Sequence, residues 1–90
     1  MSAVTRTVLI TNKRGLHARA SARFVTLASS LPAVVQVEKD GASVVGTSIM
    51  GLMMLGAAMG DSVTISAEGD GAADAVALLA RLVEDKFGEE

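Results

Sequence analysis

Cysteine, tryptophan and tyrosine are absent from this 90-residue chain, and histidine and proline occur once each. Without cysteine there are no disulfides, thiolate metal ligands or cysteine nucleophiles. With a single histidine, a zinc site would have to draw the rest of its shell from carboxylates, and none lies near His17 in sequence. No metal and no cofactor is expected. Two phenylalanines are the only aromatics, so the core has to be built from Val, Leu, Ile, Met and Ala. The net charge is −2, with 8 basic and 10 acidic side chains. A chain with neither a basic surplus nor stacking aromatics is poorly equipped for nucleic acid. The N-terminus lacks the apolar segment of a secretory signal. The longest apolar stretch, Ile49 to Met59, is too short for a bilayer, which takes about 20 residues. The expectation is one small domain over residues 1–90, soluble and cytoplasmic, with no membrane partner.

The patterning that is present alternates between strand and helix periods. Val4 to Thr11 reads as a strand with Val4, Val8 and Ile10 on one face and Arg6 interrupting it. After the loop from Asn12 to Leu16, apolar residues recur at Ala20, Phe24, Leu27, Ala28 and Leu31, which predicts a helix stopped by Pro32. Two β-rich runs, Ala33 to Lys39 and Ala42 to Thr47, are joined by Asp40-Gly41, a hairpin signal for a type I′ turn. Ser48 then caps a short helix from Ile49 to Leu55, ended at Gly56. Ser62 to Glu68 alternates as a half-buried strand. A last helix carries Ala75, Leu78, Leu79 and Leu82 on one stripe, with Lys86 in its last turn and Gly88 just beyond. The order β-α-β-β-α-β-α predicts an α+β fold, an antiparallel sheet with helices on one face and water on the other.

The candidate chemistry centres on Thr11-Asn12-Lys13-Arg14-Gly15-Leu16-His17-Ala18-Arg19. A helix starting at Ala18 presents unpaired backbone N–H groups and a partial positive charge to whatever lies before it. An anion is held there without further apparatus. His17 at the cap leans over that end, and Arg19 can turn its paired donors to the same point. A neutral imidazole offers a ring nitrogen as a nucleophile. The residues alone leave two readings open, a histidine that accepts a phosphoryl group and an indifferent helix cap.

Gly15-Leu16-His17-Ala18-Arg19-Ala20 resembles the active-site signature of the HPr family, the histidine-containing phosphocarriers of the phosphoenolpyruvate-dependent phosphotransferase system. Gly46-Thr47-Ser48-Ile49-Met50-Gly51-Leu52-Met53 is similar to the regulatory-serine segment of that family, and the likeness runs over essentially the whole chain. The resemblance implies an open-faced β-sandwich of four antiparallel strands. It implies that His17 accepts a phosphoryl group on Nδ1 from enzyme I and passes it to a histidine of an enzyme II A-type domain. Arg19 and the backbone N–H of Ala18 would stabilise that group. Ser48 would be a regulatory phosphorylation site for an HPr kinase/phosphorylase in some lineages. Many members have proline where this chain has Ala20. That departure and the Lys13-Arg14 loop resemble the nitrogen-related branch, which would make the protein mainly a regulator that binds partners according to its phosphorylation state.

The short helix is apolar nearly all round, so Leu52 and Leu55 are expected to face the sheet and Ile49, Met50 and Met53 to face outward. Flexible thioethers suit a surface that must fit several unlike partners. With Leu16 added, these residues form the expected docking patch. The protein is expected to be a monomeric carrier, not an independent turnover enzyme. A hydrolase built on Ser48 and His17 is disfavoured because the Gly-x-Ser-x-Gly signature is absent.

Overall fold

The computed structural model describes residues 3–89. Residues 1, 2 and 90, which the sequence reading includes in the domain, lie outside the described residues. Strand β1 spans Val4–Leu9, helix α1 Ala18–Ser29, β2 Val34–Lys39, β3 Ala42–Val45, α2 Ile49–Met54, β4 Ser62–Glu68 and α3 Ala72–Glu84. A single 3-10 turn, Lys86–Gly88, follows. The sheet order is β1-β4-β2-β3 and every pairing is antiparallel. This is the expected four-stranded α+β architecture.

Register explains the core. Val8 stands opposite Val63, Val37 opposite Ile65, and Val35 opposite Ala67, and all six are buried on one face. Arg6 falls on the same face opposite Ile65, and its guanidinium reaches out to Glu84 at 2.9 Å, so the charge stays in water while the stem covers the layer. The opposite face is solvated and mixed: the hydroxyls of Thr7 and Thr64 lie 2.9 Å apart there, and Leu9, Val34 and Val45 are exposed beside the polar side chains. Helix α3 packs across β1 and β4, and α2 against α1 and β3. The Asp40-Gly41 turn has positive φ at both residues, 52° and 85°, as a type I′ turn requires.

Several boundaries differ from the sequence reading. β1 ends at Leu9, although Ile10 remains buried and exchanges backbone bonds with the 60–61 turn. α1 ends at Ser29, before Leu31, with Leu27 and Leu31 only partly buried. β3 ends at Val45, although the Gly46 N–H still donates to the Val35 carbonyl at 2.8 Å, at a close approach where a Cβ would lie 2.9 Å from Val35 Cγ1. In α3 the buried stripe is Ala72, Ala75, Val76, Leu79, Ala80 and Val83, while Leu78 is 45% exposed. Small side chains let α3 sit close on the sheet, and a stripe drawn through the leucines is rotated away from that face. Lys86 lies past the end of α3 with φ 59°, not in its last turn.

Ser48 is the N-cap of α2, and its hydroxyl accepts the Gly51 N–H at 3.0 Å. Ser48→Ala is expected to lower stability by about 1 kcal/mol in urea denaturation, the usual contribution of such a cap.

Candidate functional site

The loop between β1 and α1 is shaped by glycine. Gly15 has φ +63°, and a Cβ there would overlap the carbonyl oxygen of Ala57 and lie 2.8 Å from Ala58 Cα. The Leu16 N–H donates to that same Ala57 carbonyl at 2.9 Å. The close approach turns Leu16 inward, where it is 7% exposed. Leu16 is therefore a core residue and no part of a docking patch. As the residue before the cap it fixes the entry of the chain into α1, and Ser21 Oγ donates to its carbonyl at 3.3 Å.

His17 is the N-cap of α1, extended at φ −73° and ψ 178°, and its ring forms no capping bond. The first helical bond runs from Ser21 N–H to the His17 carbonyl at 2.9 Å. The N–H groups of Ala18, Arg19 and Ala20 thus stand ahead of the ladder as free donors. His17, Arg19, Lys13, Arg14 and Glu89 line one open cleft of about 280 Å³. The three cations are exposed, and among the described residues none has an acidic partner. A larger groove of about 600 Å³ runs between α1 and the 3-10 turn. It is mainly apolar, and the guanidinium of Arg23 on its wall is already bonded to the Phe87 carbonyl. The cleft at His17 is the one equipped for an anion.

Sequence reasoning missed Glu89 and Asn12. Glu89 Oε2 pairs with His17 Nε2 across 72 positions of sequence. Its Oε1 accepts from Asn12 Nδ2 at 3.1 Å, and the same amide donates to the Gly15 carbonyl at 2.8 Å. Asn12 is fully buried. Two acceptors facing one terminal group require that group to be the NH2, so the amide orientation is determined by its neighbours. Phe87 brings Glu89 here. It is fully buried, and both it and Lys86 adopt positive φ, 56° and 59°. A glutamate this far along the chain has no periodic or spacing relation to His17 that would reveal the pairing.

Partial burial raises the Glu89 carboxyl, but the hydrogen bonds from Asn12 and His17 and the charges of His17 and Arg14 outweigh it, leaving the group below its ordinary value of 4.5. A depressed carboxyl favours the folded state when ionised. Its contribution is complete above pH 4.5 and is lost as pH falls through the lowered value. Urea titrations of the protein and of Glu89→Gln are therefore expected to differ above pH 4.5 and to converge on acidification below it.

The candidate regulatory residue, Ser48, is half-buried and engaged with Gly51 N–H. Ile49, Met50 and Met53 are exposed by 41%, 68% and 40%, while Leu52 and Leu55 are buried. Met54, which the sequence reading did not single out, is the most exposed of this group.

Residues 4–85 match the family model described as the PTS HPr component phosphorylation site. The chain is 42% identical over 84 residues to the phosphocarrier protein HPr of Cupriavidus necator, covering 93% of this chain and 94% of that one. It is 36% identical over 89 residues to the phosphocarrier protein NPr of Shewanella violacea, covering 99% and 98%. The crystal structure of HPr from Thermoanaerobacter tengcongensis superposes with a TM-score of 0.90 at 49% identity, covering 100% of this chain and 99% of that one.

Proposed function

Since the chain belongs to the HPr family of phosphotransferase-system phosphocarriers, we propose that His17 takes a phosphoryl group from phosphorylated enzyme I and hands it to a histidine of an enzyme II A-type domain. The observation that carries this reading is the position of the imidazole at an uncapped helix start, in a cleft lined by Lys13, Arg14 and Arg19. As Nδ1 attacks phosphorus, the bond to the donor breaks. The phosphoryl oxygens then find the N–H groups of Ala18, Arg19 and Ala20, the Arg19 guanidinium and the loop cations. The protein supplies no leaving group and no water. It is a carrier whose turnover depends on partners at both ends, acting as a monomeric domain over residues 1–90 in the cytoplasm. Among the described residues no helix is long and apolar enough to cross a membrane.

Partners dock, in this reading, on Ile49, Met50 and Met53. Met53→Glu is expected to raise the half-saturating concentration for enzyme I while leaving urea stability nearly unchanged, because the side chain is exposed. Equal half-saturation in a steady-state transfer assay would remove Met53 from the interface. Phosphorylation of Ser48 by an HPr kinase/phosphorylase would add roughly −1.5 to −2 charges at the start of α2. The fold should survive, and the effect should fall on acidic partners. A second reading, regulation through phosphorylation-dependent binding as in the nitrogen-related branch, is favoured by Ala20 and by the match to NPr over 99% of the chain.

The test is incubation with enzyme I and phosphoenolpyruvate, read by intact mass and phosphorus NMR beside His17→Ala. An acid-labile phosphoryl group that requires His17 is the expected result. No uptake from an active, matched enzyme I would overturn the carrier reading.

A further inference from the structure

We propose that Glu89 is a positioning residue for His17, holding the ring with its proton on Nε2 so that Nδ1 is the nitrogen that takes the phosphoryl group. This rests on the carrier reading above and adds a residue to it.

The geometry separates two roles a carboxylate could have in a cationic cleft. A stand-in for the phosphoryl group would sit on the free N–H groups of Ala18, Arg19 and Ala20. Glu89 instead pairs with Nε2, on the edge of the ring opposite the side where Nδ1 lies. It is this ring's only hydrogen bond among the described residues. A carboxylate accepts and cannot donate when ionised, so the nitrogen facing it carries the proton. In the neutral ring Nδ1 is then left with its lone pair. The carboxylate is held in turn by the fully buried Asn12, whose amide is anchored on the Gly15 carbonyl of the active loop. The ring and the carboxylate are 15% and 22% exposed, so the pair is sheltered from competing water. Behind it, Arg23 donates to the Phe87 carbonyl and the buried Phe87 ring fixes the segment.

The chemistry that follows is balanced without any proton leaving. The neutral imidazole gives its Nδ1 electron pair to phosphorus, and the donor recovers the pair from the bond that breaks. Nε2 keeps its proton, so the ring becomes a cation, and the Glu89 carboxylate faces that new charge. When the phosphoryl group is passed on, the Nδ1 pair returns and the ring is neutral with its proton still on Nε2. A buried carboxylate behind a catalytic imidazole acts the same way in hydrolytic triads.

The experiment uses Glu89→Ala and Glu89→Gln in the full chain, with Glu84→Gln as a control that removes the same charge elsewhere. Long-range proton–nitrogen NMR of the unphosphorylated protein at alkaline pH reads the tautomer without any partner. The wild type is expected to show only the Nε2–H form and Glu89→Ala a mixture. Single-turnover transfer from phosphorylated enzyme I is expected to slow in Glu89→Ala by about 10- to 100-fold, the range seen when a carboxylate that orients a histidine is removed. Half-saturation should not change. Glu89→Gln, which keeps an acceptor oxygen without the charge, should fall between, and Glu84→Gln should match wild type. A rate for Glu89→Ala within twofold of wild type would overturn the proposal, as would a wild-type ring protonated on Nδ1. Absence of transfer to the wild type itself would overturn the carrier reading instead.

Discussion

Replacing Phe87 with alanine is expected to lower folding stability by about 3–5 kcal/mol, the usual range for truncating a buried phenylalanine. A chain of this length typically holds roughly 5–13 kcal/mol in total. The loss is therefore a large share, visible as a much lower urea midpoint. Phe87 is fully buried, and it lies one residue past another with positive φ, a backbone arrangement that only the surrounding packing maintains. With the ring gone, Lys86 and Phe87 have less reason to stay in the left-handed region. The segment that carries Glu89 to Asn12 and His17 should detach before the sheet unfolds. Phe87→Leu keeps most of the volume and should cost much less in stability. The decisive measurement is the His17 ring signal under native conditions. In folded Phe87→Ala it should resemble that of Glu89→Ala. Wild-type ring shifts in Phe87→Ala would mean that the segment is held by Arg23 alone.

Gly15→Ala is expected to be the most damaging small substitution in the loop. A left-handed backbone costs an L-residue about 1–2 kcal/mol. The new Cβ must also displace the backbone at Ala57 and Ala58, which it would overlap. The loop can escape only by giving up the Leu16 N–H bond to the Ala57 carbonyl, and His17 follows directly in sequence. Both stability and phosphoryl uptake should fall. Gly41→Ala is the matched control: its φ is +85°, yet a Cβ there meets nothing within 4 Å. It should cost only the backbone part and leave uptake intact. Equal uptake by Gly15→Ala and Gly41→Ala would show that the close approach at Ala57 does not shape the site.

The fold was largely legible because its signals are local. Strand alternation in Ser62–Glu68 predicts a half-buried strand and Asp40-Gly41 predicts the hairpin, while the interior place of that strand in the sheet is seen only in the structure. Ser48 revealed itself as a cap because it stands immediately before an apolar run. The cationic loop beside His17 was equally local, so Lys13, Arg14 and Arg19 could be associated with the ring from sequence. Errors arose where apolar residues exceed the faces that need covering. In α3 the alanines share the contact face with Val76, Leu79 and Val83, and Leu78 sits outside because its position on the helix is turned off that face. Leu16 looked free because a loop residue has no period to say which way it points, and the Gly15 turn decided it. Glu89 was invisible for a different reason. Its partner is chosen by the path of the chain after α3, which depends on one buried phenylalanine and no repeating pattern.

The sheet order has a consequence for how the molecule comes into being. β1 has a single strand neighbour, β4, which is made more than half a chain later. Every contact that shapes the histidine loop from outside is later still or nearly so: the carbonyl of Ala57, the turn N–H of Gly60 on the Ile10 carbonyl, and the carboxylate of Glu89. During synthesis the signature segment leaves the ribosome before Ala57, β4 and Glu89, and it has nothing to fold against until they have followed. Long-range pairings of this kind close slowly because loop entropy must be overcome before they are rewarded. His17 is therefore made before the groups that shape its loop and settles late in the folding sequence, in its final setting only when the domain has closed around it.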